Sequence, residues 1–268
     1  MLPTQRRQAI LAQVRQESAV SADDLAREFG VSVETIRRDL RRLGEKGLLD
    51  RVYGGATRPA GRSREGSFAA RSVRRMAAKR GIAQLAASLV EPGETLVIDI
   101  GTTALEVARA LPASFEGRVL TNSVPVAMEL SGRREVEILL CGGQVRHGDG
   151  ACSGAHAEAF FAEFYADRAF LGSGGVHPEA GLTDYYPAEV VVRRTIIAHT
   201  AACYVLADSS KLGAIAVHRV CQLDRVTAVL TDDEAGEGEP GAHEALASVG
   251  VTVLRASVTE PPGLSEAG

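Results

Sequence analysis

SVETIRRDLRRL, residues 32–43, sets four arginines within six residues of a chain whose net charge is −4. On a helical wheel at ~100° per residue, Val33, Ile36, Leu40 and Leu43 fall within ~80° and make a packing face. Arg38 points directly away from that face, with Glu34, Thr35 and Arg42 beside it. Arg37 and Arg41 lie on one shoulder of the apolar stripe and Asp39 on the other. The ordinary fate of such a run is a solvated charged surface. Its neighbours argue otherwise. Just before it, SADDLAREFG (21–30) reads as a short helix capped by Ser21, with Leu25, Ala26 and Phe29 apolar and Gly30 suited to a tight turn. Upstream, RRQAILAQVRQE places Ile10, Leu11 and Val14 on one face. Helix, glycine turn and helix make a helix-turn-helix, and an arginine-rich second helix is the part that enters the major groove.

A hairpin signal follows in GLLDRVYGGA (47–56): a strand-like run from Leu48 to Tyr53, then Gly54-Gly55 as a two-residue turn. This is a β-wing, from which Arg51 and Tyr53 reach the DNA backbone or minor groove. A plain hairpin closing the small core accounts for the same residues.

Charge is divided along the chain. Residues 1–80 carry 18 lysines and arginines against 9 aspartates and glutamates, and the remainder carries 12 against 25. A basic front on an acidic body points to a polyanion partner for the front alone. The 268 residues are 45% hydrophobic, ordinary for a soluble globular protein. No apolar run nears the ~20 residues of a membrane span, and MLPTQRRQAI lacks a signal-peptide core, so a cytoplasmic protein is expected. Cys141, Cys152, Cys203 and Cys221 include no C-x-x-C pair, and disulfides are not expected. His147, Cys152 and His156 can be drawn as a metal site, but their spacing suits buried cysteines beside loop histidines better; neither metal nor cofactor is expected.

VSVETIRRDLRRLGEKGLLDRVYGGA (31–56) resembles the N-terminal signature of the DeoR family of bacterial transcriptional regulators. Its T-x-R-R-D-L core stands at Thr35, Arg37, Arg38, Asp39 and Leu40, and its R-x-x-G-G-A wing begins at Arg51. Tyr53 departs from the histidine more usual there. DNA contacts are thus expected at Ser32, Thr35, Arg37, Arg38, Arg41, Arg42, Arg51 and Tyr53. Thr35, Arg37 and Arg38 occupy the first turns, where an arginine donates two hydrogen bonds to guanine. Arg41 and Arg42 sit one turn back, nearer phosphates. Asp39 is expected to orient neighbouring arginines.

TRPAGRSREGS (57–67) has linker composition, and a helical pattern returns from Phe68 to Val90. Apolar runs at 95–100, 118–122, 136–141, 168–172, 203–208, 225–232 and 251–256 alternate with helical stretches, which predicts a mainly parallel sheet covered on both faces. The expected organisation is a winged helix-turn-helix over 1–58, a linker over 59–69, an α/β domain over 70–257 and a tail over 258–268.

In a parallel sheet, ligands gather at strand carboxyl ends near a topological switch point. DIGTT (99–103) runs from a strand into a helix, and Gly101, Thr102 and Thr103 suit an anion at the helix start, or only a capped helix. Other strand ends carry Thr121-Asn122-Ser123, Gly142-Gly143 and Asp208-Ser209-Ser210-Lys211, a set suited to a small phosphorylated polyol. DIGTT, TNS, CGG, DRAFLGSGGV, GLTD and VLADSSK follow in the order of the DeoR effector domain, which resembles sugar-phosphate isomerases and CoA transferases in fold. The resemblance implies effector phosphate at Gly101, Thr102 and Thr103, and pocket roles for Asp99, Asn122, Gly142, Gly143 and Lys211. Glu189 faces the same site or caps the next helix.

An isomerase needs a carboxylate base and a partner. The loop Gly172-Ser173-Gly174-Gly175 offers none, and the sequence contains no nucleophile elbow or Walker loop. No catalytic residue is assigned. The reading is a repressor of carbohydrate uptake or catabolism genes, at least a dimer, whose partners are an operator duplex and a phosphorylated sugar. A sugar-phosphate isomerase with an attached nucleic-acid module is the alternative.

Overall fold

The computed structural model describes residues 2–17, 19–45, 48–52, 54–57, 65–233 and 241–256. The chain divides into two compact units, Met1–Gly66 and Ser67–Gly268.

The first unit runs α1 (Pro3–Glu17), β1 (Ala19–Ser21), α2 (Ala22–Phe29), α3 (Val33–Glu45), β2 (Asp50–Val52) and β3 (Gly55–Thr57). Ser21 caps α2 by accepting from the Asp23 and Asp24 amides, and Gly30 ends it at φ 62°, where a Cβ would be strained. Ile36, Leu40 and Leu43 of α3 pack on Ile10, Val14, Leu25 and Ala26, with Leu11, Phe29 and Val33 at the margin of this core. The helical periodicity of the sequence is therefore the packing face. The hairpin turn is not Gly54-Gly55 as expected, since Gly55 is already in β3, paired with Val52. Gly55 serves a different need, since a Cβ there would stand 2.0 Å from the Val20 carbonyl oxygen. That approach lets β1 join β3 as a third strand.

Asp39 faces inward. Arg6 Nε of α1 donates to its Oδ2 at 2.7 Å, both side chains being buried, and Arg7 lies 3.9 Å from Oδ1. The partners of Asp39 are thus arginines of α1, not its neighbours in α3.

The second unit begins with α4 (Phe68–Val73) and α5 (Met76–Ala87). The single helix expected over 68–90 is broken, with Arg75 at φ 52°, and Phe68 and Ala69 belong to α4 instead of the linker. The rest of the expected linker up to residue 64, and the tail from 258, lie outside the described residues. There follow β4 (Thr95–Ile98), α6 (Thr102–Ala110), β5 (Gly117–Thr121), α7 (Val124–Leu130), β6 (Val136–Leu140), β7 (Gln144–Val145), β8 (Cys152–Ser153) and α8 (Ala155–Ala162). Then come β9 (Ala166–Leu171), β10 (Gly175–His177), β11 (Gly181–Asp184), α9 (Pro187–Ala198), β12 (Thr200–Leu206), β13 (His218–Cys221), β14 (Ala228–Asp232), α10 (Ala242–Ser248) and β15 (Thr252–Ala256). Seven strands form one parallel sheet in the order β15-β14-β12-β9-β4-β5-β6. Alternate strand residues face two cores. Leu96, Ile98, Val119, Phe170 and Leu230 meet α5, α6 and α7, while Val97, Leu120, Leu171, Val205 and Val229 meet α8, α9 and α10. Burial on both faces explains the continuous apolar runs. Two small antiparallel sheets, β7-β8 and β10-β11-β13, were not foreseen.

Breaking a buried ion pair by removing one partner costs about 3–5 kcal/mol, because the other charge stays buried. Arg6→Met and Asp39→Leu are each expected to speed hydrogen exchange at Ile10 and Leu40 strongly, and the double change to recover most of the protection. Equal loss in single and double variants would show that the pair is uncoupled.

Candidate functional site

In the first unit, α3 presents its arginines outward. Ser32 accepts from the Thr35 amide at 3.2 Å and lies 2.9 Å from the Thr35 hydroxyl, which fixes the start of the helix. Arg37, Arg38, Arg41 and Arg42 are all exposed, and Arg37 has Glu34 at 3.9 Å as a loose partner. Arg51 lies in β2, and Tyr53 is outside the described residues. One face of α3 is thus cationic and free of apolar contacts, while its one aspartate is turned to the core.

In the second unit all seven strands of the large sheet end on the same edge. The chain leaves β4 outward through β5 and β6, then returns to β9 on the other side of β4, so the strand order reverses between β4 and β9. Asp99, Gly101, Thr102 and Thr103 leave β4 at that point. Gly101 adopts φ 116°, a Cβ on it would meet nothing within 4 Å, and no side chain caps α6. The first amides of α6 have no side-chain cap, and the positive end of the helix dipole lies there. Asn122 ends the neighbouring strand. Asp99 Oδ1 and Asn122 Oδ1 are buried with no hydrogen-bond partner among the described residues.

Asp99 Oδ2 is taken twice, by the Gly172 amide at 3.0 Å and by Arg193 Nε at 2.6 Å. Consecutive residue Ser173 receives Lys211, whose Nζ donates to its carbonyl oxygen. Residues 172–173 thereby join the Asp99 and Lys211 sides of the site. Gly142 and Gly143 lie one strand further out, exposed, and a Cβ on Gly143 would stand 2.8 Å from the Ser153 carbonyl oxygen.

Several charged groups here were not foreseen. Arg193 is buried and pairs with Asp99, Asp184 and Glu189. Glu189 also binds Arg146, which forks onto Asp149 and stacks on the Tyr186 ring at 4.0 Å. Glu189 therefore faces this cluster. Burial, with Asp184 and Asp99 nearby, pushes its carboxyl up to about 8 against the pull of Arg193 and Arg146. Lys79 of α5 is buried beside Asp208 and Lys211. Burial brings it down to about 8, and Lys211, Arg71 and Arg74 add to that against Asp208. Burial would raise Asp208, but Lys211, a Ser210 hydrogen bond, Arg75 and Lys79 together hold it below the usual carboxylate range. Two signals were present in the sequence: Glu189 and Arg193 are four apart on one helix, and Lys79 falls on the apolar stripe of Ile82, Ala83 and Ala86.

A DeoR-like helix-turn-helix domain matches residues 6–61 and a DeoR C terminal sensor domain residues 52–233. The chain is 35% identical over 234 residues to the uncharacterized HTH-type transcriptional regulator FruR of Bacillus subtilis, covering 87% of this chain and 93% of that one. It is 34% identical to the HTH-type transcriptional regulator GlpR of Haloferax volcanii, over 95% of this chain and 98% of that one. To the glycerol-3-phosphate regulon repressor of Escherichia coli it is 35% identical, over 87% and 92%. Ribose 5-phosphate isomerase A from Methanocaldococcus jannaschii superposes on 50% of this chain and 52% of its own, with TM-score 0.37 and 18% identity. Among the described residues no helix is long and apolar enough to cross a membrane.

A carboxyl raised in the folded state contributes stability below its unfolded value, and loses that contribution as pH rises through the folded value. For Glu189 the window runs from 4.5 to about 8. The urea midpoint of Glu189→Gln relative to wild type is expected to improve steadily from pH 5 to pH 9. A pH-independent difference would show that Glu189 ionises without cost.

Proposed function

The chain belongs to the DeoR family of transcriptional regulators, and on that premise we propose that it represses genes for the uptake or catabolism of a sugar or polyol, and releases them when the phosphorylated form binds its second unit. It is a DNA-binding transcriptional regulator and not an enzyme. The observation that carries the reading is the outward set of four arginines on α3, with Asp39 drawn away to Arg6.

In this reading Thr35, Arg37 and Arg38 meet base edges, because they lie in the first turns of α3, and Ser32 holds those turns in place. Arg41, Arg42 and Arg51 meet phosphates, as does Tyr53. Phosphate contacts position the protein and carry the salt dependence, whereas base contacts carry discrimination. Operators for helix-turn-helix proteins are commonly paired half-sites, which calls for a homodimer or higher assembly. Arg38→Ala is expected to remove preference for operator over random duplex in a competition gel shift while the fold persists. Arg42→Ala is expected to keep the preference and reduce the salt slope by about 1. Undiminished preference in Arg38→Ala would overturn its role.

For the effector, the phosphate belongs on the amides of Gly101, Thr102 and Thr103. What supports this is an uncapped helix start with open space at Gly101, and buried acceptor oxygens of Asp99 and Asn122 beside it. Those oxygens suit the hydroxyl hydrogens of a polyol. Gly142 leaves room at the outer rim, Gly143 beside it being required by the Ser153 carbonyl, and Lys211 and Lys79 supply positive charge from the other side. The name of the Escherichia coli relative makes glycerol 3-phosphate a first candidate. A ligand at 100 times its dissociation constant adds about 2.7 kcal/mol of stability, so a thermal-shift panel of glycerol, pentose and hexose phosphates is expected to give a hit that also weakens operator binding. A panel without any hit would refute the effector reading. With burial bringing Lys79 down to about 8, affinity for the hit is expected to fall between pH 7 and pH 9, and this fall to shrink in Lys79→Met.

A further inference from the structure

The helix α4 is the first element of the second unit, and it is poorly held by apolar packing. It has six residues, none of them buried, and Val73 is 79% exposed. What ties it down is charge. Arg71 Nη2 lies 3.9 Å from Asp149 Oδ2, and the Arg71 carbonyl oxygen accepts from the buried Lys79. Immediately after α4, Arg75 takes the left-handed conformation at φ 52° that L residues avoid. Its guanidinium reaches Ser209 Oγ at 2.6 Å and Asp232 Oδ2 at 2.8 Å, with Asp208 3.4 Å away.

Both ties lead to the strand-end site. From Asp149 the path runs through Arg146 to Glu189, from Glu189 to Arg193 at 3.5 Å, and from Arg193 to Asp99 at 2.6 Å, two residues before Gly101. From Arg75 it runs to Ser209 in the turn that carries Lys211. Each link is an ion pair or a hydrogen bond to a charged group among largely buried side chains, where a change in one partner is felt strongly by the next. An element without a buried side chain, fixed by such contacts, is one whose position a ligand can bias.

We propose that α4 is a relay element, and that Arg146, between Glu189 and Asp149, is the positioning residue through which ligand occupancy at Gly101–Thr103 reaches it. An anion on the α6 amides stands beside Asp99, whose second oxygen Arg193 already holds. The guanidinium of Arg193 responds to the added charge, Glu189 and Arg146 follow, and the hold of Asp149 on Arg71 changes. The relay rests on the phosphate reading of Gly101–Thr103 given above.

The test is hydrogen exchange on the full chain with inorganic phosphate as probe and sodium chloride of equal ionic strength as control. Phosphate is expected to protect the amides of 101–104 and to change exchange across 68–73 several-fold in wild type. In Arg146→Met, and separately in Asp149→Asn, protection at 101–104 is expected to remain while the response at 68–73 disappears. A role for Arg146 in stability alone would shift the baseline at 68–73 and leave its response to phosphate intact. Protection at 101–104 without a response at 68–73, or with a response that survives both substitutions, overturns the relay and leaves the phosphate site standing. No protection at 101–104 refutes both.

Discussion

A guanidinium buried among three carboxylates governs the second unit. Arg193 is 3% exposed and meets Asp99, Asp184 and Glu189, which come from the end of β4, the end of β11 and the first turn of α9. Leaving any of these charges unpaired in the interior is costly, so the elements that carry them must arrive together. That requirement ties α9 through Arg193 to the end of β4, and it fixes the loop after β9, whose Gly172 amide shares Asp99 Oδ2 with Arg193. The open space above Gly101 is what remains once these partners are in place.

The first unit uses charge in the opposite sense. Its arginines on α3 stay in water, with Glu34 only a loose partner of Arg37, and the one aspartate of the helix is spent on Arg6. The Arg6–Asp39 pair does two things together: it docks α1 against α3, and it leaves the outward face of α3 with an excess of positive charge. The acidic balance of residues 81–268 disfavours a polyanion there, which accords with the proposed role of the cationic face of α3.

The elements that could be read from the sequence are those whose pattern is local. The stripe of α3, the cap of Ser21 and the seven apolar strand runs each declare themselves within about one dozen residues. The strands of β1, β7, β8 and β10 are two or three residues long, too short for any period to show. The break at Arg75 carries no glycine or proline; it is imposed by Ser209 and Asp232, more than a hundred residues away. A glycine pair ordinarily signals a turn, whereas Gly55 is needed for the approach of the Val20 carbonyl. At the strand-end site the small residues were visible and the ion network was not, since Arg193 and Asp99 are 94 residues apart.

The same network decides which groups the end of β4 leaves available. At Asp99, Arg193 and the Gly172 amide both occupy Oδ2, while Oδ1 has no hydrogen-bond partner among the described residues. The loop after β9 closes over this carboxylate. A Cβ on Gly172 would lie 2.8 Å from the Ile100 carbonyl oxygen and 3.2 Å from Arg193 Nη2, so the residue that closes over Asp99 must be glycine for Arg193 to reach it. The carboxylate, the glycine and the guanidinium are therefore set by one packing requirement at the end of β4.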